Sequence, residues 1–405
     1  MLPPLKTVKA GLHDATEALA LELARPGTPT PDWDGVQWRL ASAAAAAHGV
    51  PAMLHGRCRW QYEPWQRFLR DQHAHVLSRQ RRIAATLSRI DAGARDAGIA
   101  AVALKGAALH AIGLYAPGER PMADIDLLVA EGDADRATAV LQAMGYVESY
   151  AQWKHRVFKP VAGQPVPGLG EHCDTPVSIE LHARVQERLP VAVVDVTGRI
   201  FPHHARPGLN AYASTGALMA HLLLHAAGGI CGRSLRLMHL HDIALLAARM
   251  DDADWYALAG EAGGEPAWWA SPVLRLVERY YPGVVPAAVA APLARRSPPL
   301  LRVLSRRQTM TAVSCSELWL HPLAGLEWSR SVAEAGRYLG NRVRPPREAV
   351  QERADMLRTQ LYLQGQQWPR MGHARRVLNW LARPVPRMDM LYAVRAAMDS
   401  PVLAP

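Results

Sequence analysis

The sequence predicts an α+β protein in which a small mixed β-sheet core is flanked by N-terminal and C-terminal helical regions. Three observations carry this prediction. Residues 32–49 and 66–98 are rich in Ala, Leu, Gln and Arg at helical spacing; residues 99–182 change to short β-like runs separated by helix and turn signals; and from about residue 212 the helical pattern returns. The shifts place a helical region at 1–98, an α/β core at 99–205, a second helical region at 206–290 and a C-terminal helical region at 291–405.

Taken in order, DWDGVQWRLASAAAAAHG (32–49) and the stretch 66–98 hold few helix breakers, and Gly98 ends the second. IAAVALKG (99–106) is an apolar run closed by Gly, AALHAIGLY (107–115) suggests a helix, and PMADIDLLVA (121–130) a strand. DADRATAVLQAMG (133–145) is a helix with Asp at its start and Gly145 at its stop, followed by a short strand, GYVES. Gly and Pro make 161–176 a loop. In VSIELHARV (177–185), Val177, Ile179 and Leu181 point one way and Ser178, Glu180 and His182 the other, because strand side chains alternate. Helices are expected at 214–229, 234–250 and 253–264, a Pro-rich connection at 282–300, and further helices, interrupted by prolines, beyond 301.

The chain has 405 residues, 49% hydrophobic and 20% charged, enough for two or three structural units with a core and far from the composition of a disordered chain. Its formal charge is +10, with 12 Trp and 11 Tyr against 3 Phe. A basic balance favours a phosphate-bearing partner such as a nucleotide or nucleic acid, although solvated charged faces satisfy it too. Cys58, Cys173, Cys231 and Cys315 lie far apart with no CxxC pair, so neither a zinc finger nor a disulfide framework is indicated. The opening MLPPLKTVKAGLHD lacks an apolar signal core and no stretch is long and apolar enough to span a bilayer, so a cytoplasmic location is expected.

The chemistry concentrates at 104–129. Asp124 and Asp126 stand one residue apart in an apolar strand, so both carboxylates project to one side, where their repulsion costs free energy unless a cation compensates. Hard oxygen ligands suit Mg²⁺ or Mn²⁺. Glu180, on the polar face of the later strand, completes the cluster if that strand pairs beside them. Lys105-Gly106, at the end of a strand and the start of a helix, supplies a point charge and close backbone approach for phosphate, and Arg120 a guanidinium fork. His182, beside Glu180, is equally suited to orienting it, touching phosphate, or being satisfied by a neighbour.

At these residues the chain resembles the nucleotidyltransferase superfamily of the DNA polymerase β type, in an uncharacterised branch marked by Lys-Gly after the first strand and by Arg-Pro-Met-x-Asp-Ile-Asp-Leu-Leu-Val. Here these are Lys105-Gly106 and RPMADIDLLV (120–129), with Glu180-Leu181-His182 matching an acidic-x-His unit. His221, His225 and HDIALL (241–246) match the later helices more loosely, and the resemblance spans about 35–250. Two positions depart from the better-known members: Ala107 stands where they place Ser, and Glu180 where the third acid is more often Asp. The resemblance implies a metal-dependent transfer of NMP from an NTP such as ATP to an acceptor hydroxyl on a small molecule, peptide or protein, with release of pyrophosphate. It casts Asp124, Asp126 and Glu180 as catalytic metal ligands, Lys105, Gly106, Arg120 and His182 as phosphate contacts, and 206–290 as the substrate side.

Other clusters have plainer readings. His221 and His225, at i and i+4, share a helix face and are read as core or substrate contacts before a metal pair; Asp242, near His239 and His241, as a cap or a partner of Arg236; the Arg-rich tail as a solvated face or partner interface before a nucleic-acid dock. Two further functions stay open: a catalytically weakened nucleotide-binding or scaffolding protein, motivated by Ala107 and Glu180, and RNA end-modification, motivated by the charge.

Overall fold

The computed structural model describes residues 2–259, 267–364 and 366–403. Helices α1 (Leu5–Ala24), α2 (Gly35–His48), α3 (Pro51–Leu54) and α4 (Glu63–Asp96) come first. Local chemistry fixes α2: Asp34 and Gln37 form a reciprocal capping box at its start, and Gly49, at φ 71°, ends it in the left-handed conformation that glycine adopts freely. The tryptophans collect here, with Trp38 stacked on Tyr62 and edge-on to Trp33 and Trp60.

A six-stranded mixed sheet follows, built from β1 (Ala100–Ala103), β2 (Asp124–Val129), β3 (Tyr146–Ala151), β4 (Arg156–Pro160), β5 (Ser178–His182) and a strand that comes later in the chain. Helices α5 (Gly106–Ala111) and α6 (Ala134–Ala143) lie between the early strands, and a separate hairpin, β6 (Gln186–Leu189) with β7 (Ala192–Asp195), precedes β8 (Gly208–Asn210), the sixth strand. The order is β3-β4-β5-β2-β1-β8, with β2 parallel to β5 and antiparallel to β1. The chain then becomes helical: α7 (Thr215–Cys231), α8 (Leu237–Ala247), α9 (Asp252–Ala259), α10 (Ser271–Tyr280), α11 (Ala287–Arg296), α12 (Pro299–Leu304), α13 (Val332–Val343), α14 (Arg347–Thr359), α15 (His373–Ala382) and α16 (Met388–Asp399). The expected α+β class is the one observed. No helix among the described residues is long and apolar enough to cross a membrane.

The sheet divides two cores. On one face Ala101, Ile125, Leu127, Val129, Phe158, Ile179 and Leu181 pack against Ile83, Ile90 and Ala94 of α4 and Ala137 and Leu141 of α6. On the other, Val102, Leu104 and Leu128 join a larger core with α1, α2, α7, α8 and α10. Each fully buried aliphatic or aromatic side chain contributes roughly 1.5–3 kcal/mol, and that burial holds the period-two register. Helix α4, about 50 Å long at ~1.5 Å per residue, serves both: Trp65, Phe68 and Leu69 enter the larger core and its later residues the smaller. Helix α16 returns to α2, where Arg39 Nη1 donates to the carbonyls of Ala397, Met398 and Ser400 and caps its last turn.

One expectation is corrected, and another is met as far as the described residues reach. The stretch 282–300 is not a plain connection: Pro286 sits at the N-cap of α11, where its missing N–H costs nothing, and Pro299 opens α12. The helix expected at 253–264 is observed as α9 to Ala259, and residues 260–264 lie outside the described residues.

Candidate functional site

The parallel register of β2 and β5 sets Asp124 opposite Ser178, Asp126 opposite Glu180 and Leu128 opposite His182. Because Ile125, Leu127, Ile179 and Leu181 fill the smaller core, the alternating residues Asp124, Asp126, Glu180 and His182 share the other face. Three acids thus meet at the centre of the sheet.

Their charges are unevenly answered. Asp126 is buried; its Oδ1 lies 2.8 Å from Lys105 Nζ and accepts from His182 Nε2 at 3.0 Å. Burial opposes its ionisation, but Lys105 and His182 outweigh burial and hold the carboxyl well below the usual range. Burial alone would lower Lys105 and His182; the carboxylates around them, Asp126 foremost, raise both instead. Asp124 makes no hydrogen bond or ion pair among the described residues. Burial first, then the charges of Asp126 and Glu180, push it up to about 7. With Asp126 and Glu180 it offers the oxygen ligands that could hold a divalent cation.

Lys105 reaches Asp126 from a backbone at φ 47°, ψ −115°, a conformation costly for a side chain with a Cβ. Its N–H donates to Tyr212 Oη at 3.2 Å, and Tyr212 in turn bonds His221 Nδ1 at 2.8 Å. His221 is buried and held neutral by that burial, so it braces the Lys105 turn. His225, one turn on, faces Glu187 instead, Nδ1 to Oε1 at 3.9 Å. The two histidines do not converge.

Arg120 is tied to an acid of the later helices. Its Nε and Nη2 donate to Asp242 Oδ1 and Oδ2 at 2.8 and 2.7 Å, and Nη1 donates to the Pro121 carbonyl at 3.0 Å. Both residues are buried, and Tyr115 Oη also donates to Asp242 at 2.7 Å. The partner expected for Asp242, Arg236, is therefore replaced by Arg120. Gly106 follows from the same packing: a Cβ there would meet Arg120 Nη1 at 2.4 Å and Met122 Cγ at 2.9 Å. The approach to β2 is held from below as well, since Arg79 Nη2 donates to the carbonyls of Met122 and Ala123 and its Nε lies 3.0 Å from Glu171.

Above the acids opens a cleft of about 540 Å³, within the usual range for ligand pockets. Lys105, Gly106, Asp124, Asp126, Lys154, Arg236 and His239 line it, and Gly228 and Gly229 leave the α7 wall bare. Arg236 is exposed and its guanidinium makes no hydrogen bond or ion pair among the described residues. A side cavity of about 150 Å³ holds His155, Glu180, His182 and His221, and shares Lys105, Lys154, Glu187 and His225 with the cleft. Lys154 pairs with Glu187.

His155, in the turn between β3 and β4, brings Nδ1 to 3.4 Å from Glu180 Oε2; burial pushes it down to about 4, so it is neutral at pH 7. Sequence reasoning missed His155, Lys154, Glu187 and Arg236. Only the basic balance and the run of histidines hinted that more groups converge here.

Fold and site together define a class, an α+β domain with acids on its central strands beneath a cleft with basic walls. The chain belongs to a family of uncharacterised nucleotidyltransferases, whose model matches residues 34–263, more than half its length. No curated protein and no solved structure matches it.

Proposed function

We propose that the chain transfers an NMP from an NTP to an acceptor hydroxyl and releases pyrophosphate, with Mg²⁺ or Mn²⁺ held by Asp124, Asp126 and Glu180. The observation that carries this reading is the register of Asp126 with Glu180: Asp124 and Asp126 line the cleft, Glu180 lines the adjoining side cavity, and the Asp124 carboxylate has no partner among the described residues. The donor set is three carboxylates with one charge unanswered, which fits divalent ions with oxygen ligands. The resemblance to the DNA polymerase β type supplies the reaction scheme.

Bound ions would supply Lewis acidity, lowering the acceptor hydroxyl's pKa and offsetting charge on the triphosphate. The chain's own groups do the rest. Arg236, free at the cleft wall, binds triphosphate oxygens, and Lys105 Nζ exchanges Asp126 for a phosphate oxygen when the nucleotide enters. The acceptor oxygen bonds to Pα as the bond from Pα to the bridging oxygen of the β-phosphate breaks; the acceptor's proton passes to Glu180 and pyrophosphate leaves. His182 orients Asp126 and Glu180. Arg120 is assigned the positioning of the loop before Asp124 through Asp242, in place of a phosphate contact.

One observation favours a second reading. Lys105 Nζ already stands against Asp126 as a cation would, which suits a nucleotide-binding or scaffolding protein with a weakened transferase site.

Calorimetry with the four NTPs, with and without Mg²⁺, tests the proposal on the native chain and on Asp124→Ala with Asp126→Ala. Metal-dependent binding that the double variant loses is the expected result. Equal metal-dependent binding by both overturns the assignment of the acids, and binding without pyrophosphate release in an acceptor screen favours the second reading.

A further inference from the structure

We infer that His155, Glu180 and His182 form a binding site for a transition-metal ion, Zn²⁺ or a chemically similar divalent ion, distinct from the all-carboxylate position at Asp124. Glu180 would then serve two ions, this one and the one at Asp124; the inference rests on the proposed function for this ion's role and not for its binding. One nitrogen or oxygen from each of the three residues lies within 4.8 Å of the other two.

The separations have the right scale. Ligands about 2.0–2.1 Å from a tetrahedral zinc stand ~3.3–3.4 Å from one another. His155 Nδ1 lies 3.4 Å from Glu180 Oε2, and His182 Nε2 lies 3.7 Å from the same oxygen. Two of the three separations are thus within a few tenths of an ångström of that scale, and the third, between the two rings, is within 4.8 Å.

The donor types argue in the same direction. Two imidazoles and one carboxylate suit zinc and its neighbours, whereas Mg²⁺ takes oxygen ligands and water. His155 Nδ1 is buried without a hydrogen-bond partner, an unusual state for a ring nitrogen that a metal ion would end. One oxygen of Glu180 approaches both rings, and an ion on His182 Nε2 takes the place of the proton shared with Asp126, so that hydrogen bond is given up for the metal. Three protein ligands leave a fourth position, and it opens on the 150 Å³ side cavity. That is the arrangement of an ion that meets a ligand, as against a closed structural site.

A second grouping, His75, His172 and Cys173, is differently placed. The Nδ1 atoms of both its histidines already accept backbone N–H groups, from Cys173 and Asp174.

Cobalt(II) tests the site because its visible absorption reports ligand type and geometry. The chelator-stripped full chain is titrated with Co²⁺ without nucleotide, beside His155→Gln, His155→Ala and Asp124→Asn, each checked for a native circular dichroism spectrum. The expected result is a one-to-one, intense tetrahedral spectrum that excess Mg²⁺ does not remove and stoichiometric Zn²⁺ does. Both His155 variants should weaken Co²⁺ at least about tenfold, the scale at which even outer-shell partners of a metal act, while Asp124→Asn keeps the spectrum. A weak octahedral spectrum, easy displacement by Mg²⁺, unchanged affinity in folded His155 variants, or loss in Asp124→Asn overturns the inference. None of these readouts involves an NTP, so failure here is distinguishable from failure of the proposed transfer reaction.

Discussion

Arg120 and Asp242 form a two-pronged ion pair in the protein interior, at 2.8 and 2.7 Å, across 122 residues of chain. It ties the loop entering β2 to α8, on opposite sides of the cleft. Because neither charge has water to fall back on, Asp242→Ala is expected to destabilise the fold by ~3–5 kcal/mol, the usual result of removing one partner of a buried pair. Urea unfolding measures this. Replacing both residues with apolar ones of similar size should recover most of the loss; a double variant as unstable as the single one would refute the explanation.

Gly106→Ala adds one methyl group where there is no space. The nearest atom belongs to the Arg120 guanidinium, which Asp242 holds fast, so the usual escape of a flexible side-chain end is closed. A loss of about 1–3 kcal/mol is expected, as for other overpacked sites. Gly132→Ala, where nothing lies within 4 Å, is the comparison and should unfold near the native midpoint.

Stability should fall on mild acidification. His48 accepts the Leu237 N–H and bonds Ser316 through its other nitrogen, and burial, aided by Arg236, pushes it down to about 3; burial pushes His241 down to about 4. Unfolded histidines titrate near ~6.5. Below that pH the unfolded chain takes up protons that the folded chain refuses, so the stabilisation present above 6.5 is lost progressively as pH drops toward 4 and 3. Urea midpoints at pH 7.5 and 5.5 should differ, and His48→Gln should reduce the difference; a midpoint that is flat with pH in the native chain contradicts the argument.

Arg236→Ala separates binding from folding. The side chain is exposed and makes no hydrogen bond or ion pair among the described residues, so stability should stay within about 0.5 kcal/mol. If it grips the triphosphate, NTP affinity falls about tenfold or more, the worth of a charged hydrogen bond. Unchanged affinity would remove Arg236 from the site.

The legible parts of the molecule were those that repeat over a few residues. Alternation in DIDLLV and SIELH gave both the strands and their faces, because burial of Ile125, Leu127, Ile179 and Leu181 leaves the acids no other side. Strands β4, β6, β7 and β8 are short and partly polar, with no pattern to read. The same limit applies at the site. Lys105, Asp124 and Asp126 lie close in sequence and share a motif, whereas Arg120 finds Asp242, and His155 finds Glu180, only through the sheet and the helices behind it. Its motif alone reads Arg120 as a phosphate ligand, and the pairing with Asp242 is legible only in the fold.

Strands β2 and β5 are each paired on both edges, while β3 lies at the margin of the sheet and the turn 152–155 carries His155 beside it. Displacing Asp126 or Glu180 demands tearing the sheet at its middle, an event near global unfolding, whereas the turn opens for much less. The acids are thus as permanent as the fold, and the imidazole arm is an accessory. A lineage could gain, lose or exchange that arm by altering four residues of a turn, without redesigning the strands that hold its acids.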